Sequence, residues 1–256
     1  DRTGRAELIQ EKQGKGEEQE TQRDYFGELL ACFDNRDPES AKRIYEEWLK
    51  EATTEDQRIV RKVLYCNFRL KAGYSDALGD LEGLTKEHPT HSLPFSVLGN
   101  RLADLGQFRE AAGNLVQAAE KESDPESGAK LLAEAADYLA KDKRFEDATS
   151  LLEGTLSKTE KGSPAEFELY KGLAQIALAQ KDSDRHVALL EKALSIHPAD
   201  YELRFRLALK YSELKRNALS LYHYRILTTE APNGANLNNL GVAYAELGLP
   251  IKAVAA

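Results

Sequence analysis

The chain has 256 residues, 41% of them apolar, which is enough to bury a sizeable core. Its formal net charge of −8 argues against a general nucleic-acid binder, because phosphate contacts need clustered Lys and Arg. No apolar run approaches the ~18 residues of a membrane span, and no secretory leader opens the sequence.

Two cysteines, Cys32 and Cys66, are too few for a disulfide framework and read as reduced, helix-packed thiols. The compartment is not fixed by the sequence, with a cytoplasmic setting favoured. Met is absent and the sequence starts at Asp1, so it reads as a processed chain or a piece of a longer one. Residues 1–21 stand apart. Ala6, Leu8 and Ile9 are their only apolar content, followed by glycines and mixed charges, which predicts a charged lead-in helix or linker.

From residue 22 onward the pattern is helical. Tyr25, Phe26, Leu29 and Leu30 predict one apolar face. Asp37 is placed to cap the next helix, with Pro38 at its first position and Ala41, Tyr45, Trp48 and Leu49 on its face. Leu64 and Phe68 mark a further helix, and Ala77, Leu81 and Leu84 its partner. Residues 92–124, SLPFSVLGNRLADLGQFREAAGNLVQAAEKESD, hold the clearest pair. Phe95, Leu98, Gly99 and Leu102 form one stripe at i, i+3, i+4, i+7; Phe108, Ala111, Leu115 and Ala118 form the other. Gly106 lies between them, suited to a helix stop because it tolerates positive φ.

The same arrangement recurs to the end. Ala135, Ala136 and Leu139 precede Phe145, Ala148 and Leu152, after which the polar residues 157–164 lengthen a turn. Leu173 and Ala174 precede Leu190, Ala193 and Leu194; Leu207, Ala208 and Tyr211 precede Ser220, Tyr224 and Leu227. The last copy supplies Leu240, Gly241, Tyr244, Gly248 and Ala253 before the sequence stops at Ala256. Starts near 22, 58, 92, 129, 167, 201 and 234 give spacings of 36, 34, 37, 38, 34 and 33. In a frame starting at Ser92, Leu98, Gly99, Leu102, Gly106, Phe108, Ala111, Leu115 and Ala118 fall where the tetratricopeptide repeat pattern wants them, with Phe95 in place of its Trp. Over residues 22–256 the chain therefore resembles the tetratricopeptide repeat family, with six full repeats and a truncated seventh. The resemblance implies an all-α fold: an α-solenoid, a right-handed superhelix of stacked antiparallel helix hairpins. Glu28, Tyr65 and His186 depart from the pattern at small or apolar positions.

Sites for chemistry are scarce. There is no phosphate-binding Gly-rich loop, no H-E-x-x-H, no C-x-x-C and no G-x-S-x-G. His88 and His91 could flank a metal, but His88-Pro89 and His197-Pro198 occupy equivalent turns and read as turn histidines. His223 reads as solvated or half-buried. No catalytic residue, metal or cofactor is expected, and the chain is not expected to be an enzyme.

Function then belongs to the surface. In proteins of the resembled family the first helix of each hairpin lines a concave groove, near positions 2, 5, 9 and 12. Carried over, this groove holds Lys62, Cys66, Arg69, Ser96, Asn100, Lys130, Lys171, Gln175, Phe205, Leu209, Asn238 and Val242. Those expected to bind ligand are Lys62, Arg69, Asn100, Lys130, Lys171, Gln175, Phe205 and Asn238. The residue set of a chaperone-tail clamp is incomplete, since Cys66, Val97 and Glu134 break it. The Asn ladder of glycosyltransferase repeats is met only by Asn239. The expected role is a protein–protein interaction scaffold that takes a peptide or partner helix in its groove. The alternative is a sensor or regulatory arm of a larger multidomain protein. No nucleic-acid partner is expected, and an uncapped C-terminal end would offer a surface for self-association.

Overall fold

The computed structural model describes residues 23–249. The predicted lead-in over residues 1–21, Ala253 and the C-terminal end lie outside them. Among the described residues every regular element is an α-helix. They divide into two compact units, one ending at Gly73 and one beginning at Tyr74.

The first unit holds α1 (Tyr25–Asp34), α2 (Pro38–Lys50) and α3 (Glu55–Lys71). The side chain of Asp37 accepts from Ser40 N at 3.0 Å and Pro38 opens α2, as the sequence predicts. Aromatic rings supply much of the packing. Tyr45 lies flat on Tyr65 at 4.0 Å and Phe26 meets Phe68 edge-on at 4.8 Å. Of the four residues predicted for the α1 face, Tyr25 and Leu29 are buried while Phe26 and Leu30 stay exposed. A helix of 10 residues with two neighbours closes only one stripe. Cys32 and Cys66 are both free thiols, and burial pushes the Cys32 thiol above its ordinary range.

The second unit runs from α4 (Ala77–Glu87) through α5 (Ser92–Asp104), α6 (Phe108–Glu120), α7 (Pro125–Lys141), α8 (Phe145–Leu156), α9 (Pro164–Ala179), α10 (Ser183–Ile196), α11 (Tyr201–Glu213), α12 (Asn217–Glu230) and α13 (Gly234–Glu246). Each helix packs on the next, and α7 also packs on α9. The result is an α-solenoid of stacked hairpins. The core runs as a line of buried clusters, one around Leu115 and Leu131, a larger one around Leu152, Leu173 and Leu190, and another around Tyr224 and Leu240. No hairpin encloses a core of its own, so each relies on its neighbours for burial.

One turn closes the first helix of successive hairpins almost unchanged. Its central residue has positive φ: Arg36, Gly106, Lys143, Lys181, Lys215 and Gly248; Gly73, after α3, has positive φ as well. In the turn of α5–α6, Gln107 N donates to Leu102 O at 2.9 Å and Gly106 N donates to Ala103 O at 2.9 Å. The same two bonds recur at Arg36, Lys143, Lys181, Lys215 and Gly248, so the Schellman closure is independent of glycine here. Four of the turns hold a cation where the left-handed backbone favours glycine, at a local cost of about 1–2 kcal/mol each.

The small residues of the repeat do what their size allows. Ala111 and Ala148 are fully buried where helices cross. A Cβ on Gly99 would lie 2.9 Å from Ala111 O, and one on Gly172 would lie 2.9 Å from Ala133 Cβ on α7. His186 occupies the corresponding small position of its hairpin. It is accepted there because its Nδ1 reaches Ala174 O at 2.8 Å, and burial lowers its pKa.

Candidate functional site

The left-handed turn residue gives a ruler for the first helix of each hairpin. Six residues before it, in the second unit, come Asn100, Asp137, Gln175, Leu209 and Val242. Ten residues before it come Ser96, Ala133, Lys171, Phe205 and Asn238. These two rows run along α5, α7, α9, α11 and α13. Cross-helix contacts tie the rows together. Tyr138 on α7 donates its hydroxyl to Asn100 Oδ1 on α5 at 2.9 Å, and Ser212 on α11 donates to Glu246 on α13 at 3.4 Å. Glu168 on α9 adds to the field that raises the Lys130 pKa on α7, after the larger contribution of Glu126.

The face changes character along its length. Over α7 and α9 it is polar and satisfied by its own groups. Lys130 pairs with Glu126 at 2.5 Å, Lys141 with Asp137 at 2.7 Å and Lys171 with Glu168 at 3.1 Å. The Lys171 ammonium also sits 4.7 Å above the Phe167 ring. Tyr138, held by Asn100 and Glu134, has its pKa raised by burial and by the Glu134 carboxylate. Over α11 and α13 the face is apolar and uncovered. Leu209 is 43% exposed and Val242 46%, while Phe205 is half-buried with its ring edge-on to Tyr224 at 6.1 Å. Asn238 beside them is exposed.

Six of the eight residues expected to bind ligand thus belong to the second unit: Asn100, Lys130, Lys171, Gln175, Phe205 and Asn238. Ser96 is buried, its hydroxyl donating to Leu93 O at 3.0 Å, so it does not line the face. Lys62 and Arg69 stand on α3 of the first unit, both half-buried, with the Arg69 guanidinium 5.8 Å from the Tyr65 ring centre. Gly73 falls one position later than Gly106 does in its repeat, which places Lys62, Cys66 and Arg69 at the positions of Phe95, Gly99 and Leu102. Cys66 is buried accordingly, not groove-lining.

The histidines resolve in different ways. His91 Nδ1 accepts from Leu93 N at 3.3 Å and caps α5. His88 and His197 end α4 and α10 through equivalent backbone bonds, to Leu84 O and Ala193 O. His223 departs from expectation: it is 5% exposed, against Tyr211 and Arg204. The sequence carried the signal, because Ser220, His223, Tyr224 and Leu227 keep helical i, i+3, i+4, i+7 spacing. Among the described residues no group of three or more His, Cys, Asp or Glu side chains could hold a metal ion, and no helix is long and apolar enough to cross a membrane.

These rows on stacked hairpins define an α-helical repeat protein with a mixed polar and apolar side-chain face. Solved structures share the arrangement. The chain is similar to a tetratricopeptide repeat protein from Parabacteroides merdae, at 16% identity over 90% of this chain and 88% of that one, with a TM-score of 0.51. It is similar to PilF of Pseudomonas aeruginosa, at 15% identity over 78% and 89% of the two chains, and to BtubC from P. vanneervenii, at 17% over 77% and 87%, each with a TM-score of 0.53. The chain has the tetratricopeptide-repeat fold. No protein-family model matches the sequence, and no curated protein matches it.

Proposed function

We propose that the chain is a protein–protein interaction scaffold that binds a peptide or partner helix along the first-helix face of its second unit. The observation that carries this reading is the pair of large apolar side chains, Leu209 and Val242, at the same position of successive hairpins and both left uncovered. Phe205 completes the anchor, and Asn238 offers donors and an acceptor beside it. The cations contribute differently. Lys130 and Lys171 already hold carboxylates, so a ligand carboxylate exchanges one partner for another and adds selectivity more than affinity. Covering the exposed parts of Leu209 and Val242 is worth about 1 kcal/mol each, or roughly 30-fold in affinity together. Catalysis has no part in this reading.

The experiment is site-specific photocrosslinking. A photoreactive residue at position 209 captures the partner, and one at Leu219, exposed on α12, does not. Leu209→Asp with Val242→Asp weakens the captured partner's binding by roughly 30-fold in titration. Equal capture at 209 and 219, or unchanged affinity in the double variant, removes the groove from consideration.

A further inference from the structure

Behind α11 lies a buried cation that makes no ion pair among the described residues. Arg204 is 7% exposed. Its Nη2 donates to Pro198 O at 2.7 Å, its Nη1 faces His223 Nδ1 at 3.4 Å, and its Nε has no partner. The His223 ring lies parallel to Tyr211 with centroids 5.7 Å apart, and Tyr222 meets it edge-on at 5.1 Å. Tyr211 in turn donates its hydroxyl to Glu191 of α10 at 2.5 Å. The cluster therefore ties α10, the turn at Pro198, α11 and α12 together.

The protonation states follow from the donors. A guanidinium only donates and stays charged, so Nδ1 of His223 must carry a lone pair and the proton resides on Nε2. A second proton on Nδ1 would set N–H against N–H and bury two cations side by side. Two charged groups bear on the imidazole: Arg204, which opposes its protonation, and Glu191, whose weaker pull is shared with the Tyr211 hydroxyl. We propose that His223 and Arg204 form an acid-sensitive joint, in which protonation of His223 loosens α12 from α11. This is independent of the groove reading.

Burial first, and Arg204 second, push the His223 pKa down to about 4 from its ordinary 6.5. The native state binds the proton less well than the unfolded chain. The joint is thus at full strength above pH 6.5 and weakens as pH falls toward 4. Over that window the opening equilibrium rises on the order of a hundredfold.

The test follows the His223 ring resonances by NMR from pH 7.5 to 4, together with hydrogen exchange of α11 and α12 corrected for intrinsic rates. His223→Asn keeps an acceptor facing Arg204 but cannot titrate. In the unsubstituted chain His223 stays neutral in the native state down to about pH 5, while protection of α11 and α12 falls progressively below pH 6.5, by on the order of a hundredfold relative to α7 by pH 4. In His223→Asn the protection of α11 and α12 holds level across the range. His186, also buried and neutral, acts at α9–α10 and is unaffected by the substitution. Titration of His223 near 6.5, or an equal acid loss in α11 and α12 of the Asn variant, overturns the proposal. If that variant does not fold, the titration of the unsubstituted chain decides alone.

Discussion

Two interior helix glycines should respond differently to the same substitution. Gly99 on α5 and Gly113 on α6 each weaken a helix relative to alanine by about 0.5–1 kcal/mol. Nothing lies within 4 Å of a Cβ built on Gly113, so Gly113→Ala should recover that whole amount. A Cβ on Gly99 would lie 2.9 Å from Ala111 O and 3.1 Å from Leu115 Cγ. The first of these is backbone and cannot swing aside, so α5 and α6 must move apart. Overpacking of this kind costs about 1–3 kcal/mol, which outweighs the propensity gain or at best cancels it. The two variants should therefore differ by about 1–3 kcal/mol, or roughly 2–12 °C in Tm for a chain this long. Urea unfolding followed by circular dichroism is the assay, with m compared between variants because stacked repeats can lose hairpins piecemeal. If Gly99→Ala stabilises as much as Gly113→Ala, the close approach of α5 and α6 is wrong, and with it the packing that fixes the face.

Lys181, with φ 63°, makes the same turn that Gly106 makes elsewhere. Lys181→Gly should raise stability by about 0.5–1 kcal/mol, the left-handed strain relieved less the entropy that glycine adds to the unfolded chain; a lower urea midpoint would contradict it. Ala148 is fully buried, so Ala148→Leu should cost about 1–3 kcal/mol, and a melt at or above that of the unsubstituted chain would remove the basis for the small position. Asn100→Ala and Tyr138→Phe share one hydrogen bond. A double-mutant cycle should show coupling of about 0.5–1.5 kcal/mol, whereas additive effects would mean the Asn100 amide is available to a ligand.

The sequence reveals the repeat because size is conserved in space even where chemistry is not. Ala41, Ala77, Ala111, Ala148, His186 and Ser220 stand at one frame position, and all six are buried. Side-chain volume there is bounded by a helix crossing, so small residues recur and a histidine enters only with a carbonyl to meet it. Register was harder to read. Ala77, Leu81 and Leu84 place α4 correctly, but its small position lies nearer the left-handed residue than in the next hairpin: Ala77 follows Gly73 by four residues, while Ala111 follows Gly106 by five. A frame anchored on the second helix therefore slips by one residue on the first, and one residue turns a helical side chain by about 100°. Of Lys62, Cys66 and Arg69, which that frame expects on the groove face, Cys66 is buried. Positive φ would have helped to fix the register, yet four of the eight left-handed residues are Lys or Arg, which no propensity argument marks as turn centres. Lys130 pairs with Glu126 and Lys171 with Glu168, and the exposure of Leu209 and Val242 is visible only once the helices are packed.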